Sequence, residues 1–357
     1  MDTETGRRSF LTRAAALAAV PALGILIADT VAASPAAAAA ATAADDFPDY
    51  APVPASSLGP AVNAQGYYVG RVERNLYWVT DGQYTSAFLT TRDGVVLFDA
   101  PASIGHNLQR AIDDVTRPSG LTNKVTHLVY SHHHADHTDA SGLFGKDVTR
   151  ICHTETRRLL LRDNDPNRPA PEVTFDDHRV LHIGGERISL AWHGSNHTPD
   201  NIFIHLPDHD ALMLVDVVLP GWVPFGNLNL GEDIPGTIAA PAAALQYPWK
   251  TFIGGHLGRP GSRQDLQVHQ EYMADLDASV RAAMATVDPT PYFVKYGDNP
   301  WAALKTYLDK ASEVAAEPVV QKYLDVLAAV DVFTQSNAYS LIESIRLDDG
   351  VQVAIHD

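Results

Sequence analysis

The sequence predicts an α/β (α+β) fold, a layered core followed by a mostly helical C-terminal part, and three observations carry that reading. Up to about residue 256, short β-rich runs bounded by Gly, Asn or Asp alternate with segments of helical spacing. Two apolar strands, "KVTHLVY" and "KTFIGGH", deliver the chain into histidine-bearing loops. From about Ser262 onward the apolar residues recur at three and four, as in "LQVHQEYMADLDASVRAAMATV" and "EPVVQKYLDVLAAVDVFTQ".

Taken in order, residues 1–44 stand apart. Arg7 and Arg8 precede Phe10 and Leu11, then an apolar run from Ala14 to Ile27 and many small residues. This resembles a twin-arginine signal peptide, and it implies export to the cell envelope or the exterior. The run carries Pro21 and is shorter than the roughly 20 residues of a spanning helix, so cleavage is expected and no stable membrane span should remain. Residues 45–60, rich in Pro and small residues, read as an extended leader. Residues 61–261 form the expected catalytic domain. It opens with the strands "YYVGRVE", "LYWVTDG", "TSAFLTT" and "GVVLFDAP", followed by the helix "IGHNLQRAIDDVTR" and the strand "KVTHLVY". The strand "TRICH" and helix "TETRRLLLR" come next, then a Pro-rich loop over 163–172 and the strands "HRVLHIGG", "ERISLAWHG", "NIFIHLP" and "ALMLVD". Residues 262–357 form the helical extension, with a strand expected near "VQVAIHD". Amphipathic spacing predicts that the extension packs on the core, with a pocket cover or a homodimer contact as the special alternatives.

The chain of 357 residues has a formal net charge of −17, and residues 1–44 hold equal numbers of acidic and basic side chains. Nucleic acid is therefore an unsuitable partner, because binding it requires Lys and Arg against phosphates. Cys152 is the only cysteine, which excludes an internal disulfide and a multi-thiolate metal site.

The densest chemistry lies in "SHHHADHTDASG". His132 and His134, two apart on an extended loop, can point the same way; Asp136 and His137 follow where the chain turns into a helix and can face a second position. One hexapeptide can begin two metal sites, but zinc-type coordination needs ligands from several directions at roughly 2.0–2.2 Å, so further donors must come from elsewhere. The pattern His132-x-His134-x-Asp136-His137 after an apolar strand resembles the HxHxDH signature of the metallo-β-lactamase superfamily. The resemblance runs from about Gly66 to Arg259 and implies that family's four-layer αβ/βα sandwich. His197 in "GSNHTPDN", Asp216 in "LMLVDVV" and His256 in "GGHLG" match its later ligands in order. By this resemblance His132, His134 and His197 would hold one Zn2+ and Asp136, His137 and His256 a second, with Asp216 bridging; iron or manganese are the other candidate metals. Two such ions about 3.5–4 Å apart can lower the pKa of a shared water toward 7 and make it a nucleophile. Asp136 is expected to act both as ligand and as catalytic proton handler.

Asp99, which ends "VVLFD", matches a position that supports the metal loop by hydrogen bonding. His133, His153, His193 and His127 are read first as packing or solvated groups. For the substrate pocket the candidates are Trp78 and Tyr84 in "WVTDGQYTS" and Trp222 and Phe225 in the loop after Asp216, which would suit a partly apolar small molecule. Asp216 stands where one β-lactamase subclass has cysteine, and Leu219 where related enzymes place tyrosine or lysine. His134 stands where flavo-diiron relatives have Glu. The expected function is an exported dinuclear zinc hydrolase that opens an ester-like or amide-like carbonyl bond, in a lactone, β-lactam or related small molecule. The alternative is an iron-dependent oxidoreductase of the same fold, similar to persulfide dioxygenases.

Overall fold

The protein is described here from a computed structural model, covering residues 47–350. The signal peptide of residues 1–44, the start of the leader and the strand expected near "VQVAIHD" lie outside the described residues. From Tyr50 onward the described chain forms one compact unit.

Two sheets face one another. The first runs in sequence order through β1 (Tyr68–Glu73), β2 (Leu76–Thr80), β3 (Thr85–Thr91), β4 (Gly94–Phe98), β5 (Val125–Val129), β6 (Thr149–His153) and β7 (Val173–Phe175). Its first four strands form an antiparallel meander and β4 to β7 are parallel. The second has the order β12 (Thr251–Ile253), β11 (Ala211–Met213), β10 (Phe203–Leu206), β9 (Glu186–Ala191) and β8 (His178–Ile183). Only its β11–β12 pair is parallel.

Strands buried on both faces need apolar side chains at successive positions rather than strict alternation. That is why "TSAFLTT" and "GVVLF" are buried throughout. Their inward residues Leu89, Val96 and Phe98 meet Ile188, Ile204 and Met213 of the opposite sheet. On the outer side, Phe88, Leu97 and Leu128 pack on Leu108 and Ile112 of helix α1 (Asn107–Thr116). Beyond the second sheet, Phe203, Leu212 and Phe252 pack on Ala240 and Ala244. The result is an αβ/βα sandwich, as the sequence predicted.

Three further helices precede the extension: α2 (Ala135–Thr138), α3 (Thr154–Asp163) and α4 (Ile234–Ala244). The extension is helical through α5 (Arg263–Thr286), α6 (Thr290–Tyr296), α7 (Pro300–Tyr323) and α8 (Val330–Asp348), with its own core around Tyr272, Leu276, Tyr307 and Leu341. A capping box between Ser262 and Asp265 starts α5. The periodic stretch "EPVVQKYLDVLAAVDVFTQ" is not one helix. It breaks between Tyr323 and Val330, where Ala328 N donates to Gly221 O (2.9 Å) and Val223 N to Ala328 O (3.2 Å), so backbone pairing with the loop after Asp216 replaces the helical bonds. The leader is extended apart from a 3-10 turn at Ala55–Ser57.

Candidate metal centre

Loops at one rim of the sandwich supply the site. His132 leaves β5 immediately after Ser131, whose N–H donates to Asp99 Oδ1 (2.7 Å) and whose hydroxyl lies 2.9 Å from His132 Nδ1. That contact occupies Nδ1 and leaves Nε2 for the site. His134 sits at the N-cap of α2, and Asp136 and His137 lie in its single turn. His197 comes from the β9–β10 connection, its N–H bonded to Asn196 Oδ1 (2.8 Å). Asn201 Nδ2 donates both to Asn196 Oδ1 (2.9 Å) and to Val215 O (2.8 Å), tying the His197 loop to the strand end that carries Asp216. Gly255 precedes His256 with φ 89°, and a β-carbon there would lie 2.5 Å from Val215 Cγ1, so both backbone conformation and space select glycine.

These side chains converge in two groups that share one carboxylate. His132, His134, His197 and Asp216 form the first; Asp136, His137, Asp216 and His256 form the second. In the first, His197 Nε2 lies 3.1 Å from His134 Nδ1 and 3.3 Å from Asp216 Oδ2, with His132 Nε2 3.5 Å from the same oxygen. In the second, Asp216 Oδ2 is 3.1 Å from His137 Nε2 and Asp216 Oδ1 is 3.0 Å from His256 Nε2, while Asp136 Oδ2 is 3.6 Å from both ring nitrogens. The edge of a tetrahedron drawn around a cation with 2.0–2.2 Å bonds is roughly 3.3–3.6 Å, so the donors already stand near coordination spacing.

The polar bookkeeping fits a cation as well. His132 Nε2 is fully buried and makes no hydrogen bond to protein, which is costly for a polar atom unless something else fills its lone pair. Burial pushes His132 well below the ordinary imidazole range and His197 to about 4, so both rings are neutral. At the other end burial opposes charge on His256, yet Asp216 and Asp136 hold it protonated up to about 10. The two carboxylates thus demand positive charge there, and a divalent cation satisfies the same demand. Asp99 is buried without exposure, and desolvation raises its carboxyl to about 6 while it accepts the Ser131 N–H.

The site opens into a cavity of about 460 Å³. His134, Asp136, His197, Asp216 and His256 line it together with Tyr84, Leu219, Phe225, Leu230 and Leu257, and with Gln83 and Asn229. Tyr84 comes from the β2–β3 hairpin, which is fastened to the His256 loop. Thr85 N donates to Gly255 O and Leu257 N to Gln83 O, both at 2.7 Å, and the Tyr84 ring lies 4.5 Å from the His256 ring.

Of the four pocket candidates, Tyr84 and Phe225 line the cavity, and Trp78 and Trp222 do not. Trp78 is on β2 rather than in the hairpin turn and lies over Gly70, where a β-carbon would come within 2.5 Å of the indole nitrogen. Trp222 is drawn away by the leader, donating Nε1–H to Ser57 O (3.2 Å). Sequence reasoning also missed Asp200, which is fully buried and 2.9 Å from His133 Nδ1, so that His133 is packed and paired. His153 stacks on Trp192 and accepts the Glu155 N–H, His193 pairs with the Tyr247 hydroxyl, and His127 Nδ1 lies 3.0 Å from Thr126 Oγ1. Leu219, Leu230 and Leu257 carried no distinguishing sequence signal, since an isolated leucine in a loop looks like any other.

No family model matches the chain. Over 244 residues it is 25% identical to 2,4-dinitroanisole O-demethylase subunit alpha of Nocardioides sp. (strain JS1661), covering 66% of this chain and 70% of that one. It is 24% identical over 129 residues to metallo-beta-lactamase type 2 of Elizabethkingia meningoseptica and 28% identical over 128 residues to metallo-beta-lactamase IND-1 of Chryseobacterium indologenes. Each of those matches covers 36% of this chain, and the chain spans about half the length of the two β-lactamases. Among solved structures it resembles a metallo-beta-lactamase from Pontibacter korlensis at 20% identity and TM-score 0.49, covering 57% of this chain and 97% of that one. It also resembles metallo-beta-lactamase IND-7 at 21% identity and TM-score 0.47, covering 58% and 99%. The donor set could hold divalent metal, and over about a third of its length the chain is similar in sequence to metallo-β-lactamases.

Proposed function

We propose that the protein is an exported dinuclear zinc hydrolase that cleaves an ester-like or amide-like carbonyl bond in a partly apolar small molecule, such as a lactone or β-lactam. The observation that carries this reading is the pair of donor groups sharing Asp216 and opening into one cavity. Divalent cations held there, with His132, His134 and His197 on one side and Asp136, His137 and His256 on the other, would supply Lewis acidity and make water nucleophilic near neutral pH. Asp136 is the most open of the two carboxylates, its side chain 39% exposed against 5% for Asp216. It orients the attacking water, takes up its proton and returns it to the leaving group. Asp99 holds the start of the histidine loop through Ser131, and Asn229 braces Asp216 by donating to its backbone oxygen (2.9 Å). Tyr84, fixed against His256, closes one side of the reacting centre.

Zinc-loaded mature protein should carry two zinc ions per chain and hydrolyse at least one of a panel of chromogenic lactones, β-lactams, thioesters and aryl esters. Bound iron together with oxygen consumption would replace this reading with the oxidoreductase. Asp136→Ala should lower kcat by about 10²-fold or more with metal retained; near-normal turnover in a metal-replete variant removes the proton-handling role. Export is read from Arg7 and Arg8, and lysine at both positions should leave the protein in the cytoplasm.

A second reading is favoured by the relative that covers most of the chain, an O-demethylase of 2,4-dinitroanisole. The bond attacked by water would then be an activated aryl ether rather than a carbonyl group. Release of 2,4-dinitrophenolate and methanol from 2,4-dinitroanisole, without release of acid from any ester, would establish that reading in place of the first.

A further inference from the structure

We propose that the cavity selects substrates whose non-reacting end is uncharged and apolar, and discriminates against those that carry a carboxylate there. The inference rests on the hydrolytic reading above and concerns the part of the cavity wall that is not formed by metal donors.

That wall is apolar and has no cation. Phe225 and Leu230 face the cavity while 52% and 60% exposed, Leu219 and Leu257 adjoin them, and no lysine or arginine lines it. Its two amides are neutral, and Asn229 is already committed: its Nδ2 donates to Asp216 O, and its Oδ1 accepts the Phe225 N–H (2.6 Å). Two arginines beside the donor loops are tied elsewhere. Arg168 donates to His133 O and pairs with Asp163 and Asp165, while Arg259 forks onto Asp265. Glu232, near His133 and His134, adds negative charge to the rim. A distal carboxylate entering this wall would lose water with no cationic partner to replace it. A carboxylate that instead turned toward the metal donors would occupy the reacting end and exclude the scissile bond.

The wall is also rigidly held. Asn227, Leu228, Asn229 and Leu230 form a left-handed turn with φ between 55° and 59°, which leucine adopts only when its surroundings impose it. Asn337 of α8 does so, accepting the Leu228 N–H (2.8 Å) and donating to Pro224 O (2.9 Å). The strained turn presents exposed Leu230 to the cavity, next to exposed Phe225 that precedes it, and so fixes the shape of the wall.

The test uses metal-loaded mature protein and two esters of nearly the same shape, 4-nitrophenyl butyrate and the mono-4-nitrophenyl ester of succinic acid. The butyrate should be preferred by about tenfold or more in kcat/KM, and Leu230→Lys should lower that ratio by about fivefold or more. Leu230 is exposed, so the lysine ammonium stays in water and folding is retained. Equal rates, preference for the succinate, or a ratio untouched by Leu230→Lys would overturn the inference. If neither ester is hydrolysed, the carbonyl reading is decided by the lactones, β-lactams and thioesters of the panel, and selectivity is read by calorimetry with 4-nitrobutyranilide and N-(4-nitrophenyl)succinamic acid. Leu230→Lys should tighten the anion by about fivefold relative to the neutral anilide; unchanged relative affinity would sink the proposal.

Discussion

Replacing Asn337 by leucine isolates the coupling between the helical extension and the pocket. Asn337 is fully buried in α8 and is bonded at both ends of its amide to the loop that carries the cavity wall, to Leu228 N and Pro224 O. Leucine keeps the branching at Cγ but leaves that N–H and that C=O without partners, at about 1–3 kcal/mol each. Burying the larger apolar group returns about 1 kcal/mol, so the net loss is about 1–5 kcal/mol. For a unit of this size that corresponds to a fall in Tm of about 2–8 °C. The left-handed turn, costing roughly 1–2 kcal/mol per leucine, would relax first, moving Phe225 and Leu230 and removing the Asn229 brace from Asp216. The measurements are a thermal melt by circular dichroism and steady-state kinetics on an apolar ester. KM should rise and kcat should fall with metal still bound. A Tm within 2 °C of wild type together with unchanged kcat and KM would refute the coupling.

Three further outcomes follow from burial and pairing. His269 is buried in α5, and desolvation lowers it to about 4. Because the unfolded ring titrates near 6.5, its contribution is complete above that pH and is lost as pH falls from about 6.5 toward 4, amounting to roughly 2 kcal/mol at pH 5. His269→Leu should therefore show a smaller drop in Tm between pH 7.5 and 5 than wild type, and an identical drop would contradict this. Cys152 is buried, its thiol raised by desolvation and directed to His153 O (3.0 Å), so iodoacetamide should neither label the native protein nor reduce its activity. Truncation after residue 261 exposes Val223 and Leu228 and removes Asn337, so the shortened chain should be insoluble or inactive; a soluble, active product would show the extension to be dispensable.

The sequence by itself determined the sandwich and the reacting end of the site. Both are local properties: continuous apolar runs make strands buried on two faces, and "HHHADH" places donors on one loop and one helical turn whatever surrounds them. The later donors His197, Asp216 and His256 were legible because they match, in order, the ligands that the resemblance to the metallo-β-lactamase superfamily implies. The apolar wall had no such signal. Leu230 reaches the cavity from a left-handed turn that Asn337, more than a hundred residues further on, holds through Leu228 N, and the same side chain holds Pro224 O beside Phe225. Trp222 points away because Ser57 of the leader offers it an acceptor, and the helical pattern between Tyr323 and Val330 yields to backbone pairing with Gly221 and Val223. His133 likewise became a paired group only once Asp200 was folded beside it. Propensity and periodicity describe neighbours in the chain, whereas these choices were made by hydrogen-bond partners that only the tertiary structure brings near.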